Sequence, residues 1–230
     1  MSLVFDAPVP TVLPVAGGGD FPVHRIYCVG RNYAEHAQEM GHSGREAPFF
    51  FLKPADVVVP VAEGAVGEMA YPSLTHNLHH EVELVVAIGR DPGEVAAADA
   101  PGCIFGYAVG LDMTRRDLQG EMKKQGRPWS IGKAFEQSAP IGPIVPKART
   151  GELLRGEISL DVNGQPRQRG DLGDLIWSVA ETIEQLCRAW TLRAGDLIFT
   201  GTPAGVGAVQ RGDVMTGHIA GLPELKVKVV

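Results

Sequence analysis

Glycine or proline closes one short apolar run after another along this chain: Val57-Val58-Val59 stops at Pro60, and Glu81 to Ile88 stops at Gly89. Of 230 residues, 29 are glycine and 17 proline, against a usual glycine level of about 7 %. Such punctuation predicts short strands and many turns, not a helical bundle. Hydrophobic residues at 44 % and charged residues at 21 % are ordinary globular values, which excludes disordered, collagen-like and coiled-coil chains. The length suits one domain whose core needs no disulfides.

Residues 1–24 read as an irregular lead-in, with Pro8, Pro10, Pro14 and Pro22 around the run Gly17-Gly18-Gly19. The remainder, 25–230, reads as one sheet-rich body with small helices. Strands are expected over His24 to Val29, Val57 to Val59, Glu81 to Ile88, Phe105 to Leu111 and Asp196 to Thr200, with a last one through Leu225, Val227 and Val229. Ile158, Leu160 and Val162 alternate and run into Asn163-Gly164, a strong hairpin signal. Ser178 and Glu181 form a capping box, after which Val179, Ile183, Leu186 and Trp190 repeat at helical spacing. That helix is expected to pack the core and to take no part in chemistry.

The formal charge of −6 and the absence of a Lys/Arg stripe give no footprint for nucleic acid. Cys28, Cys103 and Cys187 are odd in number and widely spaced, as suits reduced thiols in a cytoplasm. No apolar run approaches the roughly 18 residues that span a bilayer, and Asp6 with its prolines does not resemble a secretory signal; a cytoplasmic location without membrane contact is expected. Patterns for phosphate loops, dinucleotide binding, nucleophile elbows and zincins are missing.

The informative stretch is Asn77-Leu-His-His-Glu81-Val-Glu83. Two residues apart on a strand, Glu81 and Glu83 share a face. They are either surface charge at a solvated strand start or a partly buried pair that a cation must neutralise. Hard magnesium or manganese suits carboxylate oxygens. Asp112, at the end of the next apolar strand, is the expected third ligand in preference to Asp117; zinc on His76, His79 or His80 is an alternative without a clear spacing. On a short helix over Asn32 to Met40, His36 and Glu39 would be i, i+3 neighbours. They would form either a water-activating pair or a plain surface contact. The polar stretch Gly41 to Pro48 could let that helix close as a lid. Lys53 and Lys133 are single cations in apolar surroundings, which either snorkel or meet an anion.

Taken together, Gly30-Arg31-Asn32-Tyr33, His36 with Glu39, Phe51-Leu52-Lys53-Pro54, His80-Glu81-Val82-Glu83, Asp112 to Gln119, Lys133 and Thr200 to Gly207 resemble the fumarylacetoacetate hydrolase family, and within it the short acylpyruvase branch, fumarylpyruvate hydrolases above all. The resemblance implies an α+β fold, a mixed β-roll of layered sheets with short helices, generally a homodimer. It implies Glu81, Glu83 and Asp112 as ligands of Mg2+ or Mn2+, His36 and Glu39 as the water-activating dyad, Lys133 as stabiliser of an enolate, and Arg31, Lys53, Arg116, Gln119 and Thr202 around the substrate. The implied reaction is hydrolytic carbon–carbon cleavage of a 2,4-diketo acid, fumarylpyruvate to fumarate and pyruvate in gentisate-type aromatic degradation. Oxaloacetate decarboxylation, a broad acylpyruvase and, remotely, a non-catalytic β-rich binding protein are the alternatives. Gly132, where relatives often carry alanine, is expected to be neutral, and Arg115 either binds a distal carboxylate or faces solvent.

Overall fold

A computed structural model describes residues 3–33 and 45–230. In chain order the strands are β1 (Val12–Pro14), β2 (Asp20–Pro22), β3 (Ile26–Gly30), β4 (Phe49–Lys53), β5 (Val58–Pro60), β6 (Val66–Met69), β7 (Leu78–His80), β8 (Val82–Ile88) and β9 (Ile104–Leu111). They continue with β10 (Thr114–Arg115), β11 (Ala139–Ile141), β12 (Val145–Pro146), β13 (Glu157–Val162), β14 (Gln165–Asp171), β15 (Leu197–Phe199), β16 (Gly207–Val209), β17 (Val214–Ile219) and β18 (Leu225–Val229). The largest sheet runs β4-β3-β15-β8-β9-β11-β5, with β12 also on β9. It is mixed: β15 lies parallel to β3 and β11 parallel to β5, while β8 and β9 are antiparallel. A second mixed sheet runs β14-β13-β17-β18-β6, and a small one β10-β7-β16. With the helices Arg116–Lys124 and Val179–Ala189 and two single turns, Ser130–Lys133 and Lys147–Thr150, the class is α+β.

Strand β8 explains the layering. All seven of its residues are buried, as a continuous apolar run covered on both faces should be. Val82, Leu84, Val86 and Ile88 face a core shared with Leu160, Met215, Leu225 and Val227 of the second sheet. Val85 and Ala87 face a separate core with Ile26, Cys28 and Phe199. Period-two alternation puts Glu83 on this latter face, so the acidic end of the strand finishes an otherwise apolar surface.

The lead-in is not irregular throughout. β1 and β2 pair as a hairpin, and Leu13, Phe21 and Val23 are buried in the second core. Pro14 and Pro22 are tolerated because a two-stranded ribbon asks few backbone donors of its residues; on its outer side the Pro14 carbonyl accepts the Ile144 N–H at 2.9 Å, and Gly17, Gly18 and Gly19 take the positive φ values that the turn requires. The other local signals hold. Asn163 and Gly164, at φ +53° and +73°, turn β13 into β14, and Ser178 and Glu181 cap the helix Val179–Ala189 reciprocally. Val179, Ile183 and Leu186 are its buried face, while Trp190 follows the helix in extended backbone against Tyr27. Asn32 and Tyr33 are not helical, and Tyr33 bridges to Leu175. The rest of the expected helix, with His36 and Glu39, lies outside the described residues.

Gly110 is a tight point of this arrangement near the acidic end. A Cβ there would sit 2.5 Å from Val85 Cγ2 and 2.8 Å from the Phe199 ring. Gly110→Ala should therefore destabilise the protein by about 1–3 kcal/mol, the usual range for overpacking, read as a lower Tm in a thermal melt; an unchanged Tm would show that Phe199 gives way freely.

Candidate active site

The register of β8 on β9 sets Val82 opposite Leu111 and Glu83 opposite Gly110. One step further, the Asp112 N–H donates to the Glu81 carbonyl at 2.9 Å. Asp112 thus faces Glu81 across the strand pair, and Glu83 stands two residues along on the same side. One carboxylate oxygen from each lies within 4.8 Å of the others, and all three residues are buried.

Among the described residues three cations answer this charge, each from a different element. Lys133 Nζ lies 2.8 Å from Glu81 Oε2 and 2.5 Å from Asp112 Oδ2. Lys53 Nζ stands 2.9 Å from Asp112 Oδ1, a contact of charges and not a directed hydrogen bond. Arg116 Nη2 donates to Glu81 Oε1. Burial opposes the charge on Lys133, but Asp112 and Glu81 outweigh it and hold the ammonium above its ordinary pKa. Glu83 has no ion pair among the described residues; its Oε2 accepts the Gly201 N–H at 2.7 Å. Burial, then the neighbouring Asp112 and Glu81, push its carboxyl well above the usual range. An oxygen-only, buried triad with one carboxylate that no cation touches fits a hard divalent ion of the Mg2+ or Mn2+ kind.

Among the described residues, histidine takes no part in this cluster. His80 Nδ1 meets Gln168 Oε1 at 2.9 Å, and His79 Nε2 meets Asn77 Oδ1 at 2.9 Å. Burial and the Arg116 charge lower His79 to about 4, so it is neutral near pH 7. Asp117 turns away, accepting from Thr75 Oγ1 at 2.6 Å and from the His76 N–H at 3.1 Å.

A small cavity of about 30 Å³ is lined by the triad together with Arg31, Arg116, Gln119, Lys133 and Thr202. Lys53 is the exception among the expected substrate residues. It is fully buried, donating to the carbonyls of Lys133 and Ser138 and to Ser138 Oγ, so it supports Asp112 from behind and does not line the cavity. Arg115 does not face the site either. Its guanidinium packs 4.4 Å from the Phe135 ring centre and donates to the Ile131 carbonyl at 3.2 Å.

Three supports had little or no signal in the sequence. Gln168, on β14, accepts from the Val82 N–H at 3.1 Å and donates to Thr202 Oγ1 and the Pro203 carbonyl, both at 2.8 Å. It ties the start of β8 to the turn after β15. Asn32 donates to the Trp177 and Thr200 carbonyls at 2.9 and 2.8 Å, and Gly201, at φ +103°, leaves room for it, since a Cβ there would be 2.7 Å from Asn32 Cβ. Gly132 is not a neutral exchange for alanine in this chain. Its Cβ would fall 2.8 Å from the Gln119 backbone nitrogen, and the glycine is what lets the Lys133 turn rest on the helix Arg116–Lys124.

Residues 25–230 match the profile described as fumarylacetoacetate (FAA) hydrolase C-terminal. The chain belongs to the fumarylacetoacetate hydrolase family. Among solved family structures, the fumarylpyruvate hydrolase from Pseudomonas aeruginosa, in complex with Mn2+ and pyruvate, is 57 % identical with a TM-score of 0.98, over 100 % of this chain and 99 % of that one. Among curated family members, an oxaloacetate tautomerase of Escherichia coli (strain K12) is 42 % identical over 86 % of this chain and 89 % of its own length. A mitochondrial oxaloacetate tautomerase of Homo sapiens is likewise 42 % identical, over 89 % of this chain and 90 % of its own.

Two outcomes follow from the charges. Glu83→Ala should weaken Mn2+ binding in calorimetry by more than the roughly 10–100-fold typical of residues that only orient ligands; wild-type affinity in that variant would remove Glu83 from the ligand set. Lys53→Met should lower stability by about 3–5 kcal/mol by leaving Asp112 short of a counter-charge, measured by urea denaturation.

Proposed function

We propose that the protein is a metal-dependent acylpyruvate hydrolase whose preferred substrate is fumarylpyruvate, cleaved to fumarate and pyruvate in gentisate-type breakdown of aromatic compounds. The observation that carries this reading is Lys133: a buried, protonated ammonium that touches two of the three triad carboxylates at the wall of a cavity. Similarity over the whole chain to a fumarylpyruvate hydrolase crystallised with Mn2+ and pyruvate supports it.

When bound at Glu81, Glu83 and Asp112, the divalent ion supplies Lewis-acid polarisation of the keto-acid end. Arg116 and Gln119 orient the same end, the guanidinium matching a carboxylate by charge and shape. His36, with Glu39 to orient its ring, takes the proton from a water that adds to the distal carbonyl. As that carbon–carbon bond breaks, its electron pair becomes the enolate of pyruvate, and Lys133 holds the negative charge. A proton then returns to the methylene carbon. The roles of His36 and Glu39 rest on the sequence, because both lie outside the described residues. Thr202 and Arg31 complete the wall. A single catalytic domain over 25–230, a homodimeric assembly and a cytoplasmic location belong to the same proposal; among the described residues no helix is long and apolar enough to cross a membrane.

Oxaloacetate chemistry is the second reading, favoured by the relatives named as its tautomerases. Decarboxylation or tautomerisation of oxaloacetate would use the same metal end but needs no attacking water. Purified protein with Mn2+ should consume fumarylpyruvate with a kcat/KM at least tenfold above that for oxaloacetate in either conversion, and the reverse ranking would replace the hydrolase reading. His36→Ala should keep Mn2+ affinity and lose about 100-fold or more in kcat for hydrolysis, within the range typical of a general base; an unimpaired variant would remove it as the base.

A further inference from the structure

The small acidic cavity adjoins a larger cleft of about 550 Å³ with which it shares Arg31, Phe51, Trp129 and Lys133. Among the described residues no acidic one lines that cleft, while Lys123 and Arg127 add two more cations to its wall. Among the described residues neither they nor Arg31 have an ion pair. Resting on the acylpyruvate reading above, we propose that Lys123 and Arg127, helped by Arg31, form a subsite for a second carboxylate at the far end of the substrate, and so select dicarboxylic over neutral-tailed 2,4-diketo acids.

The geometry of one helix places this subsite. Arg116, Gln119 and Lys123 stand at i, i+3 and i+7 of Arg116–Lys124, on a single face. The first two line the acidic cavity; the third lines the outer cleft. Seven residues of helix carry Lys123 about 10 Å outward from Arg116, a reach that an extended diketo acid needs and a compact one such as oxaloacetate does not have. Gly126, at φ +63°, then turns the chain, so that Arg127 to Trp129 line the same cleft.

The walls agree with the proposed occupant. Trp129 stands edge-on to Phe49 at 5.3 Å and tilted to Phe51 at 6.0 Å, giving apolar surfaces suited to a flat unsaturated chain. Arg31 is held with its guanidinium 5.1 Å over Phe49. Burial, followed by the nearby Arg31 and Arg116 charges, lowers the Lys123 pKa, as crowding of cations without an anion should.

Lys123 is half-buried and Arg127 exposed, so the double variant K123Q/R127Q should fold. With Mn2+ present, its ratio of kcat/KM for fumarylpyruvate over acetylpyruvate, which lacks the second carboxylate, should fall about 10–100-fold, the effect expected for losing one or two charge-assisted hydrogen bonds. The change should appear in KM for fumarylpyruvate more than in kcat. An unaltered ratio overturns the subsite. Fumarate itself is the second probe: calorimetry should show it binding wild-type protein at least tenfold more tightly than the double variant, and equal affinities overturn the subsite whatever the protein cleaves. Wild-type protein that hydrolyses neither diketo acid overturns the hydrolase reading instead, with the fumarate measurement still deciding the subsite.

Discussion

Three carboxylates within 4.8 Å of one another, beneath the surface of a sheet, cannot all be ionised unless positive charge meets them. Lys133, Lys53 and Arg116 meet two of them, and among the described residues Glu83 is left with a backbone amide. The three acids and three bases cancel in formal charge. A divalent ion added to this balanced set makes the pocket positive, and that surplus is what an anionic keto acid would answer. The same residues that hold the ion would therefore prepare the cavity for its substrate. Lys133 and Arg116 line the cavity, where they can turn from protein carboxylates toward substrate oxygens, whereas Lys53 stays locked among carbonyls.

That constraint explains much of the surrounding architecture. The counter-charges come from β4, from the turn Ser130–Lys133 and from the helix Arg116–Lys124. Each must be brought close without side-chain bulk in the way. Gly132 lets the turn touch the helix, Gly201 lets its amide reach Glu83, and Gly110 lets Phe199 close the apolar face directly below the acids. Gln168 then fastens the turn after β15 to the start of β8, and Asn32 ties Thr200 to Trp177. The glycine-rich composition is thus partly a consequence of packing ionic groups between sheets, where a methyl group would displace either a backbone or a charge.

The clustering of the three carboxylates was legible because its information is local. Two residues of spacing on an apolar run fixes a shared face, and a strand end fixes the third position to within a residue. The hairpin at Asn163-Gly164 and the capped helix at Ser178 were legible for the same reason. What escaped depends on direction in space. Lys53 looked like a pocket cation, yet its strand pairing with β3 turns it into the interior. Gln168 sits in the polar run Gln165 to Arg169, where no periodicity separates the one inward residue from its exposed neighbours. The proline-dotted lead-in hid a hairpin because a two-stranded ribbon needs few of the donors that proline lacks. Lys123 and Arg127 belong to no motif in the sequence, and only the cleft beside them gives their charge a use.

Chemistry at the metal end does not by itself separate the activities found among the relatives. A keto acid bound at a divalent ion, with a lysine to hold enolate charge, serves carbon–carbon hydrolysis and oxaloacetate conversion alike. Discrimination must therefore come from whatever the rest of the molecule meets. A short dicarboxylate satisfies its charges close to Arg116 and leaves the outer cleft to water. A longer one would cross the aromatic wall of Phe51 and Trp129 and reach cations that have no ion pair among the described residues. Positive charge in a cleft without an ion pair among the described residues is a standing cost that the fold could avoid with neutral residues. Its presence on the same helix face as Arg116 and Gln119 makes most sense if one anion binds at each end of that face.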